Sequence, residues 1–149
     1  MALVLSVVVV TPSTAQESYK LIPPRPNFLT ANVEIISQHG PRHLFTVELA
    51  RTLHQQRYGL MYVKSLAADR GMLFEHKPPR SALMWMKNTY VALDMLFADN
   101  RGRVVHIHEN AVPLSQKLIR TPMAVRYILE VPAGTVKRLS LGVGDRMAF

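Results

Sequence analysis

The chain has 149 residues, no cysteine and a formal net charge of +8. That length serves one domain with one core, and the lack of cysteine excludes disulfide staples, thiolate catalysis, a lipid anchor on cysteine and Cys-type zinc sites. The 18 Lys and Arg are scattered along the sequence; this describes a solvated basic surface suited to an anionic envelope, so no nucleic-acid partner is expected.

Met1 to Val10 is an apolar run too short to cross a bilayer, and Ser13-Thr14-Ala15 is small where a signal peptidase reads. We read residues 1–15 as a signal peptide cleaved after Ala15, despite an n-region without Lys or Arg, and expect a periplasmic or secreted protein. The alternative is a buried, Val-rich first strand. Later apolar runs are strand-length, so no membrane-spanning segment is expected after signal removal. Residues 16–31, with Pro23-Pro24-Arg25-Pro26, read as an extended linker, which leaves a single β-rich domain over 32–149.

Within that domain Val33–Ser37 and Leu44–Ala50 read as strands, with a turn at His39-Gly40-Pro41 between them. Thr52 and Gln55 have capping-box spacing, which predicts a short helix to Tyr58 that stops at Gly59. Gly71–Phe74 reads as a strand, broken afterwards by Pro78-Pro79. Strands are predicted at Leu83–Lys87 and Val91–Ala98, then a turn over Asp99–Gly102 and a return strand over Arg103–Glu109. Ala111–Met123 reads as a loop, Ala124–Val131 as a strand, Ala133–Leu139 as one or two helical turns, and Arg146–Phe149 as a last strand. The expected fold class is mostly β: a compact β-sandwich or barrel-like domain with one or two short helices.

The stretch Met84 to Asp94 carries the candidate chemistry. It holds the only tryptophan and sets Lys87, Asn88 and Asp94 in an apolar run, where polar groups need partners. Both faces of Val91–Ala98 are apolar except at Asp94, so Asp94 is either a buried tie for loop N–H groups or an acid, base or ligand contact. Trp85 is either core or the floor of a ligand groove, and Lys87 is a candidate ion-pair partner for Asp94. Alternation over Ala124–Val131 turns Arg126 and Glu130 outward, and Glu130 could join Asp94 in a carboxylate pair of the kind glycoside hydrolysis uses. His106 and His108 form a His-x-His on one strand face. With His76 or the methionines Met61, Met72, Met84 and Met86 they admit a metal carrier, but no diagnostic third ligand stands out and no metal is assigned. No phosphate loop, nucleophile elbow or zinc-protease helix occurs, and no cofactor is expected.

These residues resemble a known family. Glu48-Leu49-Ala50, Arg57 to Met61, Gly71 to Phe74, the Trp85-Met86-Lys87-Asn88-Thr89 block, Leu93-Asp94, Ala133-Gly134 and Gly144-Asp145 are similar to the bacterial and archaeal family called domain of unknown function 192. The resemblance runs from about Leu44 to Phe149, and the Trp-Met-Lys-Asn-Thr block is its specific part. It implies a compact, mostly β fold and no established activity. Carried over by position, the family's polar signature falls on Glu48, Arg57, Lys87, Asn88, Asp94 and Glu130, with Trp85 nearby, and suggests a shared cleft. Met84 stands where the family has an aromatic residue and Ala92 where it has proline, which leaves the turn toward Asp94 freer. The leading expectation is an exported envelope domain that binds a small or polymeric ligand, a wall glycan or peptide. The alternatives are a hydrolase-like enzyme using Asp94 or Glu130, a Met/His metal carrier, and a polar network that only specifies the fold.

Overall fold

A computed structural model describes residues 22–149; the expected signal peptide lies outside them. The chain forms β1 (Thr30–Ile36), β2 (Arg42–Ala50), α1 (Leu53–Tyr58), β3 (Arg70–Met84), β4 (Leu93–Ala98), β5 (Val104–Ala111), β6 (Ile119–Pro132), α2 (Thr135–Leu139) and β7 (Arg146–Ala148). All seven strands join one sheet in the order β5-β4-β6-β3-β2-β1-β7. Of the described residues 49% are strand and two short segments are helix, so the domain is mostly β, and the sheet curls into a half-barrel. Every neighbouring pair is antiparallel except β2 and β3. That pair runs parallel because α1 lies between its strands, and a parallel pair needs such a crossover.

The curl brings the two ends of the sheet order together. Arg103, just before β5, bridges Arg146 of β7. The Val104 N–H donates to the Asp145 carbonyl at 2.8 Å, and the Met147 N–H donates to the Gly102 carbonyl at 2.7 Å. Gly102 sits at φ 78°, and a Cβ there would lie 2.4 Å from the Met147 carbonyl oxygen, so glycine permits the closure.

Curling creates two apolar faces. Val33, Phe45, Val47, Leu73, Leu96, Leu129 and Met147 fill the inside of the curl, with Val136 and Leu141 packed against them. Met72, Phe74, Met95, Phe97 and Ile128 form a second core on the outer face, covered by Leu60, Met86 and Phe28. The central strands β3, β6 and β4 supply both faces, which is why β4 is buried along its whole length and reads as an apolar run broken only by Asp94.

Three sequence readings are corrected. Pro78-Pro79 does not end the strand. β3 runs on to Met84, because Glu75 pairs with Tyr127 and Arg80 with Val125, and the prolines sit in the bulge between these pairs, where no ladder N–H is needed. Of the expected strand Leu83–Lys87, only Leu83 and Met84 are strand; the rest is loop, as Met86 donates its N–H to Ser115 and Thr89 closes a turn back to Met86. The loop read over Ala111–Met123 is shorter, because β6 begins at Ile119 opposite Met84.

Residues 22–29 form no regular element but are fastened to the domain. The Leu49 N–H donates to the Leu29 carbonyl at 2.8 Å, the Tyr58 hydroxyl to the Pro23 carbonyl at 3.3 Å, and the Gln55 amide to the Asn27 carbonyl at 2.8 Å.

Candidate functional site

The capping box is present as read: the Thr52 hydroxyl accepts from the Gln55 N–H, and the Gln55 side chain accepts from the Thr52 N–H. It ends the strand–helix corner that places Arg57 and then Gly59-Leu60-Met61. A second segment, the loop from Trp85 to Ala92, is clamped to this corner by Asn88. The Tyr62 N–H donates to the Asn88 carbonyl at 2.8 Å, and the Asn88 side-chain amide donates to the Tyr62 hydroxyl at 2.9 Å. Asn88 takes φ 56°, a left-handed conformation that asparagine tolerates better than most residues.

Between these two segments lies a small niche of about 20 Å³, lined by Arg57, Gly59, Leu60, Met61, Trp85, Lys87, Thr89 and Glu130 among others. That is room for about one water molecule. Of the residues singled out from the sequence, Arg57, Trp85, Lys87 and Glu130 meet here. Trp85 is 43% exposed, and the Lys87 ammonium lies 5.5 Å from the centre of its ring, a cation–π contact.

Glu130 is the unusual member. It is 4% exposed, so the outward, solvated position read from β6 is wrong. Both faces of β6 are covered, and Glu130 lies between Met72 of β3 and Met95 of β4 on the outer face. Burial alone pushes its carboxyl up to about 8, so at neutral pH it is mainly protonated and able to donate a hydrogen bond. Gly71 is what lets the strands pack so closely there, since a Cβ on it would lie 2.3 Å from the Glu130 carbonyl oxygen.

Asp94 is elsewhere. It faces the inside of the curl, on the opposite side of the sheet from Glu130. Its carboxylate is fully buried and accepts the Asn110 N–H and the Val136 N–H, each at 2.9 Å. Val136 is in the first turn of α2, whose N-cap is Gly134 with no side chain to offer, so Asp94 supplies the cap from another strand. The carboxylate-pair reading fails on this geometry, and among the described residues no ion pair joins Lys87 to Asp94. Glu48 is also apart: it takes a two-pronged ion pair from Arg25 and anchors the segment before β1. Arg126 pairs with Glu75 at 2.7 Å rather than with Glu130.

His106 and His108 line a different cavity, of about 380 Å³, with Met86 and Lys117. His76 is not part of that lining, and no group of three His, Cys, Asp or Glu converges among the described residues. Thr89 and Tyr62 are the site-building residues that sequence reasoning missed. Thr89 stood inside the quoted block, but Tyr62 carried no pattern of its own.

The chain is thus a small, mostly β half-barrel domain. The model of domain of unknown function 192, described as "Uncharacterized ACR", matches residues 34–149, and the chain belongs to that family. It is similar to a Sinorhizobium meliloti 1021 crystal structure named as a candidate transcription regulator. That match is 46% identical, with a TM-score of 0.81, and covers 84% of this chain and 97% of that one. A protein of unknown function from Novosphingobium aromaticivorans DSM 12444 is 35% identical, with a TM-score of 0.78, and the match covers 80% of this chain and 85% of that one. No curated protein matches the sequence.

Two predictions follow from the contrast between the acids. Asp94→Ala orphans the buried Val136 N–H and the part-buried Asn110 N–H, and should cost about 1–3 kcal/mol for the buried donor, plus a smaller loss for the other, in urea denaturation. Lys87→Met, at an exposed position, should stay within about 0.5 kcal/mol; equal effects would contradict the assignment. For Glu130, the unfolded carboxyl ionises near 4.5 and the folded one near 8. The unfolded chain therefore releases its proton first as pH rises. The stability is fully present below pH 4.5 and falls as pH rises through about 8, by on the order of 5 kcal/mol. Glu130→Gln should lack that decline, and parallel pH curves for the two proteins would overturn the buried neutral carboxyl.

Proposed function

We propose that this chain is an exported binding module of the cell envelope, and that the Arg57–Trp85–Lys87–Glu130 corner takes an acidic wall glycan. The observation that carries the reading is a neutral, buried carboxyl at the bottom of a water-sized niche whose rim bears two exposed cations and a half-exposed indole. A sugar ring stacks on the Trp85 face, its carboxylate or phosphate meets Lys87 and Arg57, and one hydroxyl enters the niche and accepts from Glu130. The niche admits one group rather than a whole ligand, which suits a polymer that runs across the surface. The N-terminal apolar run and Ala15 support export, and no helix among the described residues is long and apolar enough to cross a membrane.

A second reading draws on the same carboxyl: an acid catalyst that protonates a leaving group. One substitution separates the two. Gln at position 130 still donates a hydrogen bond but transfers no proton. The binding reading expects Glu130→Gln to keep affinity within a few-fold, while Glu130→Leu, Trp85→Ala and Lys87→Met each lose at least about tenfold, or 1.4 kcal/mol. Isothermal titration with acidic and neutral wall fragments measures this. No saturable binding would overturn the proposal, and turnover abolished by Glu130→Gln would replace it with the enzyme.

The name of the Sinorhizobium protein prompts one further arm with duplex DNA. The helices among the described residues have six and five residues, short for a groove-reading element, and no site-specific retention is expected. Export has its own test: full-length chain expressed with a C-terminal tag should appear outside the cytoplasm with its N-terminus at Gln16. An intact N-terminus in the cytoplasm would overturn the envelope part of the proposal.

A further inference from the structure

The seam that closes the curl holds a second polar cluster, unrelated to the corner at Glu130. Arg103 and Arg146 are directly opposite across the antiparallel bridge. Directly opposed residues in such a pair hold their Cβ atoms about 4.5–5.5 Å apart, and like charges there repel. Arg101 joins them around an open cleft of about 550 Å³, whose remaining lining is Asp99 and Gly144. Among the described residues none of the three guanidiniums forms an ion pair with a carboxylate. The one acid present is partly committed, because Asp99 Oδ1 accepts the backbone N–H groups of Arg101 and Arg103 at 2.8 and 3.0 Å. The register of the seam leaves little freedom to separate the pair, since Val104, Gly144 and Met147 all bond across it.

We propose that this cleft is an anion site for a phosphate-bearing ligand, with Arg101, Arg103 and Arg146 as its donors. Guanidinium forks match phosphate oxygens in pairs, and a dianion between opposed arginines turns their repulsion into attraction. The cleft is at the size of small-ligand sites rather than of a single ion, which favours a ligand with more than one anionic group. Binding there would also staple β5 to β7 and stabilise the closed curl.

The test uses the full chain and inorganic pyrophosphate as probe, read by thermal unfolding and isothermal titration at constant ionic strength. Pyrophosphate should raise the melting temperature saturably, and sodium chloride at matched ionic strength should not. Arg103→Gln and Arg146→Gln should each weaken binding at least tenfold, while Lys64→Gln, an equal charge loss at an exposed position elsewhere, should not. Without anion at low salt, Arg146→Gln should melt no lower than the wild type, because it removes a repulsion; this arm also shows that the variant folds. Vesicles containing phosphatidate form a parallel arm, and stronger arginine-dependent binding there than to pyrophosphate identifies a lipid headgroup as the phosphate source. Pyrophosphate and vesicles both failing, binding unaffected by the two arginine substitutions, or arginine-dependent retention of duplex DNA alone would overturn the proposal.

Discussion

The Asp94 carboxylate is the interaction on which the rest of this structure depends. It has no exposure to solvent and holds two backbone N–H groups, one at the end of β5 and one in the first turn of α2. A buried carboxylate is tolerable only when such donors replace its water. In return it joins two segments that are far apart in sequence: the edge strand, whose register it fixes, and α2, whose start it caps and whose Val136 and Leu141 it helps hold against the inner core. Asp145 repeats the device at the seam, where its carboxylate accepts the Gln38 and Gly142 N–H groups at 3.0 and 2.8 Å. Two buried acids of this domain are therefore structural ties.

Glu130 is the exception that this pattern makes visible. It is as buried as the two aspartates, yet burial alone governs its protonation, with no ion or N–H to offset it. Folding pressure explains Asp94 and Asp145 but not a glutamate in that position, where an apolar side chain would fill the same space between Met72 and Met95. A cost of that kind is tolerated at sites that do something.

The loop from Trp85 to Ala92 positions that site by simple alternation. Trp85 and Lys87 are exposed at the niche while Met86 between them is buried in the outer core. Asn88 then ties the loop to the corner after α1, so the niche is made by two segments bonded to each other rather than by either alone. Rigidity there is inherited from backbone hydrogen bonds, which suits the proposed binding of a ligand by an aromatic face and two cations.

Much of this was written in local sequence. The capping box at Thr52 and Gln55, the apolar run of β4 around Asp94, the hairpin turn at Asp99–Gly102 and the block around Trp85 follow from propensity, period and resemblance, because each depends on neighbours within a few residues. Local reasoning also framed the two roles open to Asp94, but not which one it plays, since its partners stand 16 and 42 residues away. It turned Glu130 outward because alternation names two faces without saying that both are covered. It stopped β3 at Pro78 because a proline excludes a ladder bond, and only the pairing with β6 shows that the bulge asks for none. The sequence by itself determined most of the strand segments, the cap of α1 and the residues able to do chemistry. The curl of the sheet decided the rest: which acids face which side, which cations meet, and that Arg103 must stand against Arg146.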